Sequence, residues 1–369
     1  MSRPSSEEAS ATIRGRQAFK RAAQILVLLI IILGAAELIA AYMLFRYGAL
    51  KQAAFQPTGL ASVYLVEKAL GIPAFHPVAS VDPAPLFVPD DRLGYTSSPG
   101  RYRVSISLGR KSMSFVMTVP QRGERATSYE ELTRPRSIYV FGDSFMLGWG
   151  NNDEQTMPWL LQQRFPDYRV VNLAQDGYGI TQAVLQYQQL RPSLNAGDLI
   201  ILPYGEFYLQ RDYGAPSWMR NLSRGLEQRL GAGDGMATAR YPVIRPGAGG
   251  ELRIDYLPIS CARNGDYCGK PDPDQEVMVD ATKSIIRYFA AEKRPLVLAF
   301  FEGRDDDPVI AYARALGLPI ADIRLNRASP EWDDFGAFNG HPGPIAQFNY
   351  FQRLSRVLEV QHLVTFATN

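Results

Sequence analysis

The stretch Ser137 to Gly150 reads Ser-Ile-Tyr-Val-Phe-Gly-Asp-Ser-Phe-Met-Leu-Gly-Trp-Gly. Its first part, Ile138 to Phe141, is a continuous apolar, β-favouring run of the kind that forms a strand buried on both faces. Gly142-Asp143-Ser144 then ends the strand, and open α/β sheets bind ligands beyond the carboxyl ends of their strands. Ser144 is therefore a candidate nucleophile. The alternative is a plain strand-to-helix turn, since the same residue types are common in turns and helix caps.

Strands alternate with helices from Ser137 onward, which predicts βαβ units around a parallel sheet. The predicted strands are Ser137–Phe141, Tyr168–Leu173, Asp198–Pro203, Pro295–Phe301 and Pro319–Ile323. The predicted helices are Thr156–Phe165, Thr181–Arg191, Gln275–Ala291, Pro308–Leu316 and Pro342–Val360.

Residues 213–274 interrupt this alternation. They contain an amphipathic segment at Trp218–Leu230, a predicted hairpin around Pro246–Gly250, and both cysteines of the chain. We interpret residues 213–274 as an insertion over the carboxyl edge of the sheet, serving as a lid or specificity element. A surface loop without a role in the site is the alternative.

Residues 22–45 are rich in isoleucine, leucine, valine and alanine, carry Glu37 as their single charge and, as a helix, are long enough to cross the hydrocarbon layer of a membrane. The alternatives are a buried helix of a soluble protein and a cleaved signal peptide. The run is apolar all round, however, and no small-x-small cleavage site ends it, so an uncleaved signal anchor is the better interpretation. A lone acid within a span is a functional candidate by default, and we interpret Glu37 as reaching toward the interface.

Basic residues precede this span more densely than they follow it, so the positive-inside rule predicts a cytoplasmic amino terminus. They are Arg14, Arg16, Lys20 and Arg21. The polar residues 1–21 are then a disordered cytoplasmic tail. The expected location is a single pass through the inner (cell) membrane, with the main domain in the periplasm or otherwise extracytoplasmic.

Residues 46–136 are predicted to form a linker and a small β element. Lys51 to Leu70 favours a helix leading away from the membrane, and Pro73 to Pro99, rich in proline and aspartate, favours an extended linker. Arg101 to Pro120 alternates apolar and polar residues and predicts a β-hairpin that turns near Gly109.

The chain has 369 residues and a net charge of +2, so it has room for about two domains and gives no electrostatic case for nucleic acid. Histidine occurs only at His76, His341 and His362, which argues against a zinc site of several histidines. Cys261 and Cys268 have the wrong spacing for a Cys-x-x-Cys pair. They favour a local disulfide in an oxidising compartment over two unrelated free thiols.

Three further segments follow predicted strand ends. The segment from Asn172 to Thr181 contains Gly177, whose backbone N–H is a candidate oxyanion donor, although a glycine-rich connection is the simpler interpretation. The segment from Leu202 to Tyr208 offers an acid and aromatic residues for a pocket. His341, before a Pro-Gly-Pro turn, is the natural general base for Ser144, although isolated histidines are more often structural.

Together these residues resemble the SGNH hydrolase family, also called GDSL-type esterases, in type and order. The blocks are Gly142-Asp143-Ser144, Asn172 to Gly177, Tyr204-Gly205-Glu206 and His341-Pro342. The similarity covers about residues 137–360, with 213–274 as the insertion. Leu93-Gly94-Tyr95 and Pro99-Gly100 also look like the lead-in of membrane-anchored bacterial relatives.

The resemblance implies a flavodoxin-like three-layer α/β/α sandwich with a parallel sheet over residues 137–369, preceded by the transmembrane helix and the small β element. It also implies serine ester chemistry without a metal or cofactor. Ser144 would attack an ester carbonyl, and His341 would take its proton and return it to the leaving alcohol. The backbone N–H groups of Ser144 and Gly177 would hold the oxyanion.

Two positions depart from the family pattern. The asparagine that usually donates to the oxyanion from the third block is replaced by Gly205, and the aspartate that usually orients the histidine is replaced by Asn339. Asp333 or Asp334 is the candidate substitute acid, and a Ser–His dyad without an acid is the other alternative.

The resulting expectation is a membrane-anchored esterase that acts on acyl esters, with O-acetylated envelope glycans or similar small esters as substrates. An O-acyltransferase that passes the acyl group to a sugar hydroxyl would use the same serine and histidine. A non-catalytic envelope binding or scaffold protein is the third hypothesis. Gly205 and Asn339 favour it, and the retention of Ser144 and His341 disfavours it. The expected partners are the membrane and an acylated substrate, not nucleic acid.

Overall fold

The computed structural model describes residues 6–46, 62, 78–108, 111–229, 238–247, 251–327, 329–332 and 340–364. They fall into two compact units, one formed mainly by residues up to 76 and one formed mainly by residues from 77 onward. In the first unit, helix α1 spans Ser6–Arg46. Its 20 residues Ala23–Tyr42, with a mean hydropathy of 2.7, are long and apolar enough to cross a membrane.

Glu37 on α1 has a polar partner within the first unit. Ser62 donates its backbone N–H and its hydroxyl to Glu37 Oε2, at 3.0 and 2.6 Å. The helix expected at Lys51–Leu70 lies outside the described residues, apart from Ser62.

Two expectations for the region before the parallel sheet are wrong. Residues 6–21 are helical rather than disordered, because alanine, glutamate, glutamine, arginine and lysine are strong helix formers and lead into the apolar run without a proline. Residues 78–97, expected as an extended linker, form three strands. Pro89 is accommodated there because its strand belongs to a two-stranded ribbon, where proline is tolerated at an edge.

The small β element consists of five strands that form two sheets. The strands are β1 (Val78–Asp82), β2 (Phe87–Asp90), β3 (Gly94–Ser97), β4 (Gly100–Leu108) and β5 (Lys111–Val119). β2 and β3 pair as an antiparallel ribbon, and the other strands form a sheet in the order β1-β4-β5. β4 and β5 are the two strands of the predicted hairpin, and alternate residues such as Val104 and Met117 are buried, as a strand's period of two requires.

The second unit is built around a parallel sheet. The remaining strands are β6 (Arg136–Val140), β7 (Tyr168–Asn172), β8 (Leu199–Gly205), β9 (Arg240–Pro246), β10 (Leu252–Pro258), β11 (Leu296–Glu302) and β12 (Ile320–Asp322). The helices are α2 (Ser144–Leu147), α3 (Met157–Arg164), α4 (Ile180–Leu190), α5 (Tyr208–Tyr213), α6 (Pro216–Arg229), α7 (Gln275–Ala291), α8 (Pro308–Ala315) and α9 (Pro344–Val360). Among the described residues, short 3-10 turns lie at Asp153–Gln155, Arg191–Ser193, Cys261–Arg263 and Tyr267–Gly269.

Five strands form the central sheet in the order β12-β11-β8-β6-β7, and every neighbouring pair is parallel. Helix α3 packs on α9, whereas α7 packs on α4 and α8, which gives two helical layers. This is the flavodoxin-like α/β/α arrangement, so the predicted fold class is confirmed. All seven residues of β8 are buried, which explains why the sequence of this strand is apolar without alternation.

The strand order also fixes where a ligand can bind. The chain passes from β6 to β7 on one side and later returns to β8 on the other side of β6. The carboxyl ends of β6 and β8 therefore form the topological switch point, where open α/β sheets leave a crevice. Ser144 lies shortly after the end of β6, at this edge.

The insertion at residues 213–274 contains α6, the antiparallel hairpin β9–β10 and a disulfide. The hairpin pairs Pro246 with Leu252, around the glycine-rich turn that the sequence indicates. Cys261 and Cys268 form the disulfide bond.

Candidate active site

The turn that presents Ser144 depends on glycine and on a helix cap. Gly142 has φ +131°, and a β-carbon there would lie 2.5 Å from Pro203 Cγ, so no other residue fits without displacement. Asp143 caps α2 by accepting a hydrogen bond from the Phe145 N–H at 3.0 Å. Ser144 is the first residue of α2 and is 2% exposed.

Asp143 is fully buried beneath the nucleophile and is paired with Arg211 of α5. Arg211 Nη1 lies 2.9 Å from Asp143 Oδ2. Burial raises the pKa of Asp143, and the charge of Arg211 opposes that rise. The guanidinium lies 4.3 Å from the ring centre of Phe207 and 4.6 Å from that of Trp218. Arg211 is therefore a partly buried cation, with 13% of its side chain exposed, held by one carboxylate and by aromatic rings.

His341 lies beside Ser144 although 197 positions separate them in the chain. Its Nε2 is 2.8 Å from Ser144 Oγ, a hydrogen-bond distance that suits proton transfer. Gly340, with φ +70°, allows the turn that precedes it. The ring of Phe145 packs edge-on against the imidazole, with centres 5.5 Å apart. These contacts leave the imidazole little freedom to rotate away from the serine.

Two backbone N–H groups are available as oxyanion donors. Gly177 has φ +78°, which favours glycine, and its loop is tied to the nucleophile turn by the Gln175 N–H, which donates to Gly142 O at 3.0 Å. Within the described residues, neither the Ser144 N–H nor the Gly177 N–H donates to a protein acceptor. A backbone N–H without a protein acceptor is what an oxyanion hole requires.

Gly205 ends β8, but the space for a side chain at this position is occupied. A β-carbon there would lie 3.1 Å from Phe301 Cζ. Phe301 belongs to an aromatic cluster around Phe145 that contains Phe145, Phe207, Phe301 and Trp332. A side chain at position 205 would therefore press on the ring of Phe301.

Glu206, the other residue of the third block, turns away from the serine. It accepts a hydrogen bond from Gln275 Nε2 at 3.3 Å. It also lines a cavity of about 600 Å³ whose walls include Asp280 and Arg304 but neither Ser144 nor His341. Among the described residues, no group of three histidine, cysteine, aspartate or glutamate side chains is arranged to hold a metal ion.

The candidate acids Asn339, Asp333 and Asp334 lie outside the described residues. Three residues near the site could not be recognised from the sequence: Arg211, Trp332 and Arg327, whose guanidinium lies 4.9 Å from the ring centre of Trp332. None of them belongs to a motif or follows a strand end at a recognisable spacing. Phe207, by contrast, stands in a segment that the sequence analysis assigns to a pocket wall.

No family model and no curated protein matches this chain. Similar solved structures include TesA, at 14% identity and a TM-score of 0.36, covering 62% of this chain and 99% of that chain. The psychrotrophic esterase EstA from Pseudoalteromonas sp. has 13% identity and a TM-score of 0.35, covering 61% and 98%. Acetylxylan esterase Axe2 from Geobacillus stearothermophilus has 14% identity and a TM-score of 0.31, covering 62% and 96%. These scores are low, and it is the chain's own strand order and Ser144–His341 contact that agree with the SGNH hydrolase fold.

Proposed function

We propose that this chain is a membrane-anchored serine esterase that hydrolyses acyl esters, with Ser144 as nucleophile and His341 as general base. The observation that carries the proposal is the 2.8 Å contact between His341 Nε2 and Ser144 Oγ at the switch point of the sheet. A serine hydroxyl is a weak nucleophile until a base within hydrogen-bond reach accepts its proton. The unengaged N–H groups of Ser144 and Gly177 add the second requirement, donors for the developing oxyanion.

The reaction proceeds in two halves. Ser144 Oγ attacks the ester carbonyl while His341 Nε2 takes the proton, and the tetrahedral oxyanion lies against the two N–H groups. Collapse expels the alcohol, which takes the proton from the imidazolium and leaves an acyl-serine. Water, activated by the same nitrogen, then releases the acid. Without a side-chain donor at Gly205, the hole lacks a third hydrogen bond, and one such donor is worth about a hundred- to a thousandfold in rate.

The proposed substrates are O-acetyl groups on envelope glycans, or similar small acyl esters at the membrane surface. The apolar segment of α1 supports confinement to a membrane, and the basic residues before it support an extracytoplasmic site. The disulfide Cys261–Cys268 suits an oxidising compartment outside the cytoplasm. The aromatic cluster around Phe145 supports a small apolar acyl group over a long charged one.

An O-acyltransferase is the second candidate, and the burial of Ser144 favours it. Ser144 is 2% exposed, so a sugar bound over it would exclude the remaining water, and its hydroxyl would be the nucleophile nearest the acyl-serine. Acetyl transfer to an added sugar that exceeds release of free acetate would support the transferase. Free acetate alone at saturating sugar would exclude it.

The decisive experiment compares the full-length chain in detergent with its Ser144→Ala variant, at matched melting temperature. Hydrolysis of p-nitrophenyl acetate and covalent labelling by a fluorophosphonate are both expected for the unaltered chain and lost in the variant. Acetate release from an O-acetylated polysaccharide then tests the substrate. If the unaltered chain shows neither labelling nor hydrolysis, the esterase proposal is wrong, and the remaining hypothesis is a non-catalytic envelope binding or scaffold protein.

The orientation has its own test. Alkaline phosphatase fused after Asn369 is active only outside the cytoplasm, so the proposed topology predicts an active fusion in intact cells. An inactive fusion would place the main domain in the cytoplasm and would remove envelope esters as substrates.

A further inference from the structure

Three successive carbonyl groups in the loop around Gly177 each accept a hydrogen bond from a different part of the fold. The Tyr95 hydroxyl, on β3, donates to Asp176 O at 2.5 Å. The Tyr241 hydroxyl, on β9, donates to Gly177 O at 3.0 Å. Arg211 Nη1, on α5, donates to the third carbonyl, that of Tyr178, at 3.0 Å.

The first of these bonds acts directly on the oxyanion donor. The carbonyl of Asp176 and the N–H of Gly177 belong to one planar peptide group, so fixing the direction of the oxygen fixes the direction of the N–H. Glycine has two broad ranges of φ, and the peptide group before it can therefore rotate at low cost unless something holds it. A β-carbon at Gly177 would lie only 2.6 Å from Tyr95 Oη, which shows how closely this hydroxyl approaches the loop.

The two phenols are well suited to hold the loop. Tyr95 is 1% exposed and Tyr241 is fully buried, so water does not compete for the carbonyls. Burial raises the pKa of both hydroxyls, and both therefore remain donors throughout the working pH range. The backbone carbonyl of Tyr95 accepts in turn from the Tyr178 hydroxyl, and the two rings pack with centres 5.4 Å apart.

We propose that Tyr95 and Tyr241 are positioning residues that aim the Gly177 N–H at the oxyanion. The ribbon β2–β3 and the hairpin β9–β10, which lie outside the parallel sheet, are thus functional parts of the site. Arg211 connects this loop to the nucleophile turn, because the same nitrogen that bonds to Tyr178 O also bonds to Asp143. The inference rests on the proposed serine ester chemistry, in which the Gly177 N–H is a donor.

The test uses the full-length chain in detergent and three phenylalanine variants. Tyr95→Phe and Tyr241→Phe each remove one hydroxyl from the loop. Tyr267→Phe is the matched control. The Tyr267 hydroxyl also donates to a backbone carbonyl, Gly214 O at 2.8 Å, and both residues lie in the insertion that contains Tyr241. Each variant is assayed for kcat and KM with p-nitrophenyl acetate. It is also assayed for inhibition by a trifluoromethyl ketone, whose carbonyl carbon bonds to Ser144 Oγ while the proton passes to His341.

We expect Tyr95→Phe to lower kcat about ten- to a hundredfold with little change in KM, because a misdirected donor weakens only the transition state. The inhibition constant of the ketone, which forms an oxyanion, should rise by the same factor. Tyr241→Phe should show a smaller effect of the same pattern, and Tyr267→Phe none. A purely structural role would lower the melting temperature without this parallel between kcat and the inhibition constant.

Two failures are distinguishable. If the unaltered chain hydrolyses the ester through Ser144 but Tyr95→Phe and Tyr241→Phe behave like Tyr267→Phe, the positioning role is wrong and the esterase stands. If the unaltered chain neither hydrolyses the ester nor binds the ketone, the proposed function fails and the positioning role fails with it. Should Tyr95→Phe not fold, Tyr241→Phe decides between these outcomes.

Discussion

Asn151 Nδ2 donates a hydrogen bond to the carbonyl oxygen of Pro342 at 2.9 Å, although the two residues are 191 positions apart. Both are buried, and Pro342 follows His341 directly. On α9, Gln347 Nε2 donates to Phe145 O at 3.0 Å, next to Ser144. Two buried amides therefore hold the histidine segment against the nucleophile segment.

Asn151→Ala should lower both stability and turnover. Loss of a buried hydrogen bond that leaves Pro342 O unsatisfied costs about 1–3 kcal/mol of unfolding free energy, and the loosened His341 should lower kcat at least about tenfold. Thermal unfolding and ester hydrolysis measure the two effects. Asn195→Ala is the control, since Asn195 Nδ2 bonds to Pro135 O at 3.3 Å on the exposed surface. Equal losses in both variants would contradict the proposed link.

Arg125 is a fully buried cation whose Nη2 donates to Val116 O of β5 at 3.3 Å and whose other bonds reach the segment after Ser144. Its guanidinium pairs with Asp153 at 3.0 Å and donates to the carbonyls of Leu147, Gly148 and Asn151. Arg125→Met should cost about 3–5 kcal/mol of stability, because it leaves Asp153 buried without its cation. Arg125→Lys should restore little of this stability, because a lysine ammonium cannot reproduce the planar set of N–H donors of a guanidinium.

Arg164→Met is the matched control for Arg125→Met. Arg164 pairs with Glu359 at 2.7 Å, but half of its side chain is exposed, so its loss should cost less than about 1 kcal/mol. The two variants are compared by urea unfolding. A loss of similar size in both would show that burial of Arg125 contributes nothing.

Asp212 should make stability depend on pH. Burial raises its pKa to about 7, because its effect outweighs that of the hydrogen bonds from Thr181 and Thr282, which lower the pKa. An unfolded carboxyl titrates near 3.8, so the folded state binds this proton more tightly. Its contribution to stability is complete below pH about 4 and is lost as the pH rises through about 7.

At pH about 4, Asp212→Asn should therefore have the same free energy of unfolding as the unaltered chain. By pH 8 its free energy of unfolding should be higher by on the order of 4 kcal/mol, since one pKa unit corresponds to about 1.4 kcal/mol. The Thr282 hydroxyl, 3.3 Å from Asp212 Oδ2, can accept from the new amide. Unfolding curves across this pH range measure the difference. Asp280→Asn, at an exposed position of α7, is the control, and its free energy of unfolding should change with pH as that of the unaltered chain does. If Asp212→Asn behaved in the same way, the prediction would be wrong.

Gly205→Asn should not restore a third oxyanion donor. Its β-carbon would lie 3.1 Å from Phe301 Cζ and 3.3 Å from Glu302 Cβ, so we expect overpacking that costs about 1–3 kcal/mol and no gain in kcat. Gly269→Asn is the control, because a β-carbon there meets nothing within 4 Å. A rise in kcat for Gly205→Asn would contradict this prediction, because it would show that the aromatic cluster moves aside and lets the new amide donate to the oxyanion.

Local patterns were sufficient to predict most of the second unit. The strand from Leu199 to Gly205 could be recognised because burial on both faces requires a continuous apolar run. The turn before Ser144 was predictable because glycine and a helix cap mark such turns in any sequence. Residues 6–21 were misassigned because a polar composition is shared by disordered tails and by helices built from strong helix formers. Residues 78–97 were misassigned because a proline-rich segment becomes a ribbon only through pairing with other strands.

The sequence by itself determined the parallel sheet, the apolar helix, and the candidacy of Ser144, Gly177 and His341, because each follows from local hydrophobicity, turn chemistry or block order. Only the tertiary structure decided that Arg211 pairs with Asp143 and that Tyr95 and Tyr241 hold the loop around Gly177. These bonds join residues far apart in the chain and depend on which strands become neighbours and how their loops meet. No local pattern encodes that, because a tyrosine on an edge strand has the same propensity whether or not a carbonyl lies opposite its hydroxyl.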